Sequence, residues 1–107
     1  MNEYIDYLHE VFEWFGPVTT RKMFGGHGIY HNGLMFALVA DGVLYLKTDG
    51  ENSDHFVQEG LPPFEFIKKG KLIKTSYYRA PDEIMDDREL AAVWARRSYA
   101  AAVRAHK

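Results

Sequence analysis

The chain has 107 residues, 47% of them hydrophobic, 15% aromatic and 26% charged; that length makes one domain, 1–107, and that much apolar bulk excludes a mainly disordered chain. It has no cysteine, which excludes disulfide scaffolds, thiol nucleophiles and thiolate metal sites. The net charge of −2 is unevenly spread: residues 1–65 hold ten acids against three bases, and residues 66–107 hold ten bases against five acids, so either the two halves face each other or one of them meets a charged partner.

The opening run, MNEYIDYLHE, lacks the basic start and apolar stretch of a signal peptide. Tyr4, Ile5, Leu8, Val11, Phe12 and Phe15 recur at helical spacing, which predicts an amphipathic helix capped by Asn2 and ended by Gly16-Pro17. From 18 to 47 the residues become β-branched and aromatic. Asn32-Gly33 and Asp41-Gly42 suit type I′ turns, where both central residues need positive φ, and they divide this stretch into three antiparallel strands. A short polar helix is expected over 52–59, stopped by Gly60 and Pro62-Pro63. Two further strands, 64–67 and 72–79, join across Lys68-Lys69-Gly70-Lys71. The last and longest helix is expected to open with Asp86 and Glu89 as a capping box and to bury Leu90, Val93, Trp94, Ala101, Ala102 and Ala105. The expectation is therefore an α+β, two-layer domain in the order α-β-β-β-α-β-β-α, a five-stranded antiparallel sheet with helices on one face. The other sheet face is left unexplained, and the many aromatics suggest that it is not fully polar.

The motifs point away from catalysis. His27 and His31 would pair on a helix, but on a strand four residues span roughly 13 Å, so they are expected to be surface groups beside a hairpin and not metal ligands. Gly25-Gly26-His27-Gly28 is followed by a strand and not by the helix a phosphate loop requires, and reads as a bulge or sharp bend. Ser76 has no histidine or lysine neighbour of nucleophile type, and Asp86-Asp87 serve better as a helix cap than as an acid/base pair. No catalytic set, metal or cofactor is expected, and without an apolar run of membrane length the chain is expected to be cytoplasmic and off the membrane. Lys68, Lys69, Lys71 and Lys74 cluster around a hairpin tip, where lysines either guard a sheet edge or touch a nucleic-acid backbone.

The run Arg21-Lys22-Met23-Phe24-Gly25-Gly26-His27-Gly28-Ile29-Tyr30, followed by Met35-Phe36-Ala37-Leu38, Leu44-Tyr45-Leu46-Lys47 and Ser76-Tyr77-Tyr78, resembles the N-terminal domain of the TfoX/Sxy competence-regulator family across nearly the whole chain. Thr75 departs from the pattern, which leads one to expect methionine there. The resemblance implies a secretion-chaperone-like α+β fold and no enzymatic activity. It also implies a role in regulating genes of natural transformation (DNA transformation), in which full-length members act as coactivators beside the cyclic-AMP receptor protein. Those members carry a further C-terminal helical domain, so the chain is expected to be a stand-alone version of the N-terminal half.

The leading expectation is a non-enzymatic interaction domain contacting a transcription factor or polymerase, or pairing with itself as a homodimer. Partner-binding candidates are Arg21, Met23, Phe24, Gly25, Gly26, Gly28, Tyr30, Lys47, Tyr77, Tyr78 and Arg79. The same residues also suit a purely structural role, Phe24 and Tyr30 above all. The alternative is a nucleic-acid module using the basic half, with direct DNA contact left open; a third is a small-molecule site at the bend over 25–30.

Overall fold

The structure is a computed structural model that describes residues 2–23 and 25–106. In chain order it runs α1 (Glu3–Val11), β1 (Thr19–Met23), β2 (Gly26–His31), β3 (Leu34–Ala40), β4 (Val43–Lys47), α2 (Ser53–Val57), β5 (Pro63–Lys68), β6 (Lys71–Arg79), a 3₁₀ turn (Asp82–Asp86) and α3 (Arg88–Ala105). The strands form one antiparallel sheet in the order β1-β2-β3-β4-β6-β5.

The expected α+β class, single antiparallel sheet and three helices are present, but the sheet has six strands and not five. The extra strand comes from the glycine run. Met23 pairs with Gly26, and Gly25 between them has φ +78°, so the expected bend is a hairpin turn that splits one long strand in two. At Asn32-Gly33 and Asp41-Gly42 the chain turns as the sequence predicts, with Asn32 at φ 49° and Asp41 at φ 51°.

Asn2 caps α1, its side-chain oxygen accepting from the Tyr4 and Ile5 amides. The helix ends at Val11, a turn before Gly16-Pro17, because 12–15 leave the helix as turns that carry Phe12 and Phe15 inward. At the last helix the capping oxygen belongs to Asp87, which accepts from the Leu90 amide at 2.9 Å, while Asp86 closes the preceding 3₁₀ turn. The expected Asp86 cap is thus displaced by one residue, since the 3₁₀ turn uses up Asp86 first.

Alternation along the strands sorts the sheet into two faces. Ala37 with Leu46 and Val39 with Leu44 are cross-strand pairs, all buried beneath the helices. Where β2 meets β3 the register shifts between Ile29 and Tyr30, leaving Phe36 as an extra residue of a bulge that turns its ring into the core beside Ala37. There Phe36 meets Phe12 edge-on at 5.4 Å and Phe15 at 5.1 Å. Phe12 and Phe36 are fully buried, worth about 1.5–3 kcal/mol each relative to an exposed ring. Alanines at 91, 95 and 102 are buried, which lets α3 approach β3 and β4 closely. α2 contributes Phe56, wedged between Trp94 at 4.9 Å and Tyr78 at 5.8 Å.

His31 corrects a second expectation. It is half-buried rather than a surface group, its Nδ1 donates to the Pro17 carbonyl at 2.7 Å, and its ring packs on Phe15 at 4.6 Å and Tyr99 at 4.9 Å. Because a carbonyl only accepts, the proton sits on Nδ1, leaving Nε2 to accept from the Asn32 amide.

Candidate functional site

All three helices pack on the core face, so the opposite face of the sheet has no helix over it. The strand registers define its residues. Arg21 lies opposite Gly28, Tyr30 opposite Met35, Leu38 opposite Tyr45, and Lys47 opposite Tyr77. On the outer hairpin Phe66 pairs with Ile73, and Lys68 with Lys71. This face is concave. Met23 from one edge strand and Phe66 and Lys68 from the other line one cavity of about 550 Å³, floored by Met35 and Leu38. Edge strands of a flat six-stranded sheet would lie far apart; here the right-handed twist and the bulges curl them toward each other.

The cavity wall is aromatic. Phe64 stacks on Phe66 at 5.9 Å and meets Tyr45 at 4.9 Å. Gly28 makes room for the floor: a side-chain carbon there would lie 2.7 Å from the Met35 sulfur and 3.0 Å from the Tyr30 ring. Gly26 has a different task, because a carbon there would run into the Val39 carbonyl of β3. Burial pushes the Tyr77 phenol up to about 12, and the Tyr30 phenol across the trough adds to the shift.

Two cations stand over these tyrosines. The Arg21 guanidinium is 5.6 Å from the centre of the Tyr30 ring, and the Lys47 ammonium is 5.1 Å from that of Tyr77. Lys47 also donates to the Ser76 hydroxyl at 3.0 Å. Its backbone is held from below: the buried Asn52 donates to the Lys47 carbonyl at 3.1 Å and accepts from the Asp49 amide at 2.7 Å. Asp49 in turn receives a two-pronged contact from Arg104, at 2.6 and 2.9 Å, which ties α3 to this corner. That guanidinium holds the Asp49 carboxyl below the usual carboxylate range.

The structure therefore gathers Arg21, Met23, Gly28, Tyr30, Lys47 and Tyr77 on one surface. Gly25 and Gly26 shape its hairpin edge. Arg79 lies at the end of β6 beside Asp82, 3.7 Å away. Tyr78 is on the helix-covered face, partly buried against the core, and Phe24 lies outside the described residues. Lys68, Lys69 and Lys71 crowd the tip of the β5–β6 hairpin, while Lys74 pairs with Glu65 across the opposite face. Residue-type reasoning missed Met35, Leu38, Phe64 and Phe66. The available signal was the unbroken apolar run over 34–40, which a strand with one solvated face does not need. Among the described residues no three His, Asp or Glu side chains converge to hold a metal.

A family model described as the TfoX N-terminal domain matches residues 10–102. The chain belongs to the TfoX N-terminal domain family. It is 36% identical over 63 residues to DNA transformation protein TfoX1 of Aliivibrio fischeri, covering 59% of this chain and 30% of that protein. It is 26% identical over 69 residues to Protein Sxy of Escherichia coli, covering 64% of this chain and 33% of that protein. The match thus spans about a third of the length of these relatives. The whole Arg21–Tyr30 run lies within the residues matched to the TfoX N-terminal domain.

Proposed function

We propose that the domain is a non-enzymatic regulatory module of DNA transformation that works by holding a protein partner, a transcription factor such as the cyclic-AMP receptor protein or polymerase, on its concave sheet face. The observation that carries this reading is the uncovered apolar trough of about 550 Å³, a size within the range of specific binding sites and too apolar to be an ordinary solvated surface. Membership of the TfoX N-terminal domain family and the name of the Aliivibrio fischeri relative supply the biological setting.

The test places a photoreactive phenylalanine analogue at Leu38 on the trough or at Trp14, which is 62% exposed outside it, in cells encoding the protein. Cross-links to a component of the transcription machinery are expected from position 38 and not from 14. A Leu38→Asp protein that stays folded should lose them, and transcripts of DNA-uptake genes should fall with them. Equal cross-linking from both positions, or unchanged transcripts with Leu38→Asp, overturns the reading.

The lysine tip supports a second reading, as a nucleic-acid contact. Among the described residues Lys68, Lys69 and Lys71 are exposed and appear in no ion pair. That reading expects duplex or single-stranded DNA to be retarded at low salt, with affinity falling steeply as salt rises and lost when the three lysines become glutamine.

A further inference from the structure

The charges on the trough say what kind of segment it takes. Glu65 is the only acid among the described strand residues, and its partner Lys74 places it on the face away from the trough. The trough face itself carries Arg21, Lys47, Lys68 and Lys71, none of which forms an ion pair among the described residues, and at its end Arg79, opposite Tyr45 and paired with Asp82. The acids sit elsewhere: Glu3, Asp6, Glu10 and Glu13 on and just after α1, and Asp49 against Arg104. Part of the uneven charge of the two halves is matched on the helix side, where Arg88 meets Glu13 and Arg104 meets Asp49, while the trough cations are left for a partner.

We infer that the concave face is built for an acidic, apolar protein segment, one whose large apolar side chains enter the Met23–Leu38–Phe66 trough while flanking carboxylates reach Arg21 and Lys47. This rests on the concave face being the docking surface. Apolar side chains seated in the trough exclude water, and in drier surroundings a carboxylate gains more from each cation than it would at an open surface. Both cations are already oriented by the tyrosine rings beneath them, so little is lost in ordering them on binding. A segment suits this arrangement because the two cations stand over different rings on different strands, Arg21 of β1 over Tyr30 and Lys47 of β4 over Tyr77, so a chain with several carboxylates can meet each of them separately. The trough repels a basic segment at every rim cation, which gives selectivity among partners as well as attraction.

The test pans a random dodecapeptide library displayed on phage against the whole domain, then titrates fluorescein-labelled versions of the enriched peptides by polarisation at low and high salt. Enriched peptides are expected to combine acids with large apolar residues and to bind more weakly as salt rises. Leu38→Asp should weaken them at least about tenfold, and Lys47→Gln or Arg21→Gln roughly threefold each, with Trp14→Ala without effect. Phe66→Ser, at a partly exposed edge position, replaces Leu38→Asp if that variant does not fold. Peptides that are neutral or basic yet sensitive to these trough variants overturn the inference while leaving the docking surface standing. No trough-sensitive peptide, a self-dimer that occludes the face, or displacement of peptide by duplex DNA overturns both.

Discussion

Replacing the three glycines of the Gly25-Gly26-His27-Gly28 run by alanine, one at a time, separates three physical demands that a motif reading treats as one. At Gly25 a new carbon meets nothing within 4 Å, but the backbone φ of +78° is left-handed, which costs an L-residue about 1–2 kcal/mol. At Gly26 the conformation is ordinary and the space is absent. The carbon would strike the Val39 carbonyl and lie 3.5 Å from the Ala40 Cα. Both are backbone atoms of a central strand, so relief requires prising β2 from β3, with loss of ladder hydrogen bonds worth about 1 kcal/mol each on top of the overpacking strain. We expect a loss above about 3 kcal/mol, a large part of the roughly 5–15 kcal/mol that holds a domain together. At Gly28 the obstacles are the Met35 sulfur at 2.7 Å, a Tyr30 ring carbon at 3.0 Å and the Met23 methyl at 3.1 Å. Two of these belong to flexible methionine side chains, and alanine also stiffens the unfolded chain by about 0.4–1 kcal/mol. Gly28→Ala should therefore stay within about 1 kcal/mol of the wild type while crowding the trough floor and weakening peptide binding. Urea unfolding followed by circular dichroism orders the three through their midpoints at constant slope. A Gly26→Ala midpoint equal to or above that of Gly28→Ala would refute the close approach of β3.

Three further outcomes follow from single contacts. Asp87→Ala should cost about 1 kcal/mol and Asp86→Ala much less, measured by thermal unfolding; equal losses would return the cap to the box spacing. The Asp49 carboxyl, held low by Arg104, contributes stability that is present above the ordinary carboxylate pKa and lost as pH falls through its lowered one. The stability gap between wild type and Arg104→Ala should accordingly be open at neutral pH and close below about pH 4, and a gap unchanged into acid would remove the ion pair as its source. Tyr77, raised to about 12, behaves in the opposite sense: its phenol contributes stability in full below the ordinary tyrosine pKa of about 10, and loses it as pH rises toward 12. Ultraviolet titration should show one of the seven tyrosines ionising last, a step absent from Tyr77→Phe; a Tyr77→Phe titration with the late step intact would reassign it.

Most of the fold was legible because its punctuation is local. Asn32-Gly33 and Asp41-Gly42 demand positive φ at adjacent residues, which few pairs other than Asn-Gly and Asp-Gly tolerate, and both turn where expected. The miscounted strand lies where local signals conflict. Gly25-Gly26-His27-Gly28 contains one glycine needed for a turn, one needed for the backbone of the next strand, and one needed for side chains of β1, β2 and β3. Periodicity sees only a glycine-rich interruption, and the collision at Val39 exists only once β3 is in place. The early end of α1 has the same origin. Phe12 and Phe15 fit helical spacing, yet the bulge at Phe36 draws them into a different arrangement of rings.

The site was legible in its residues and not in its shape. Arg21 and Met23 fall two apart, Tyr30 two residues from Gly28, the partner of Arg21, and Lys47 opposite Tyr77, so a correct six-stranded pairing would have put them on one face from sequence alone. With five strands, β1 and β2 merge, Arg21 and Tyr30 lose their cross-strand relation, and the curl that brings Met23 to Phe66 has no cause. Tyr77 and Tyr78 show the limit most sharply. Strand alternation requires them to point to opposite faces, but which face carries the helices is decided by Leu44 and Leu46 on the neighbouring strand, through the pairing of Leu46 with Tyr78. That one register places Tyr78 against Phe56 in the core and leaves Tyr77, under Lys47, to the trough.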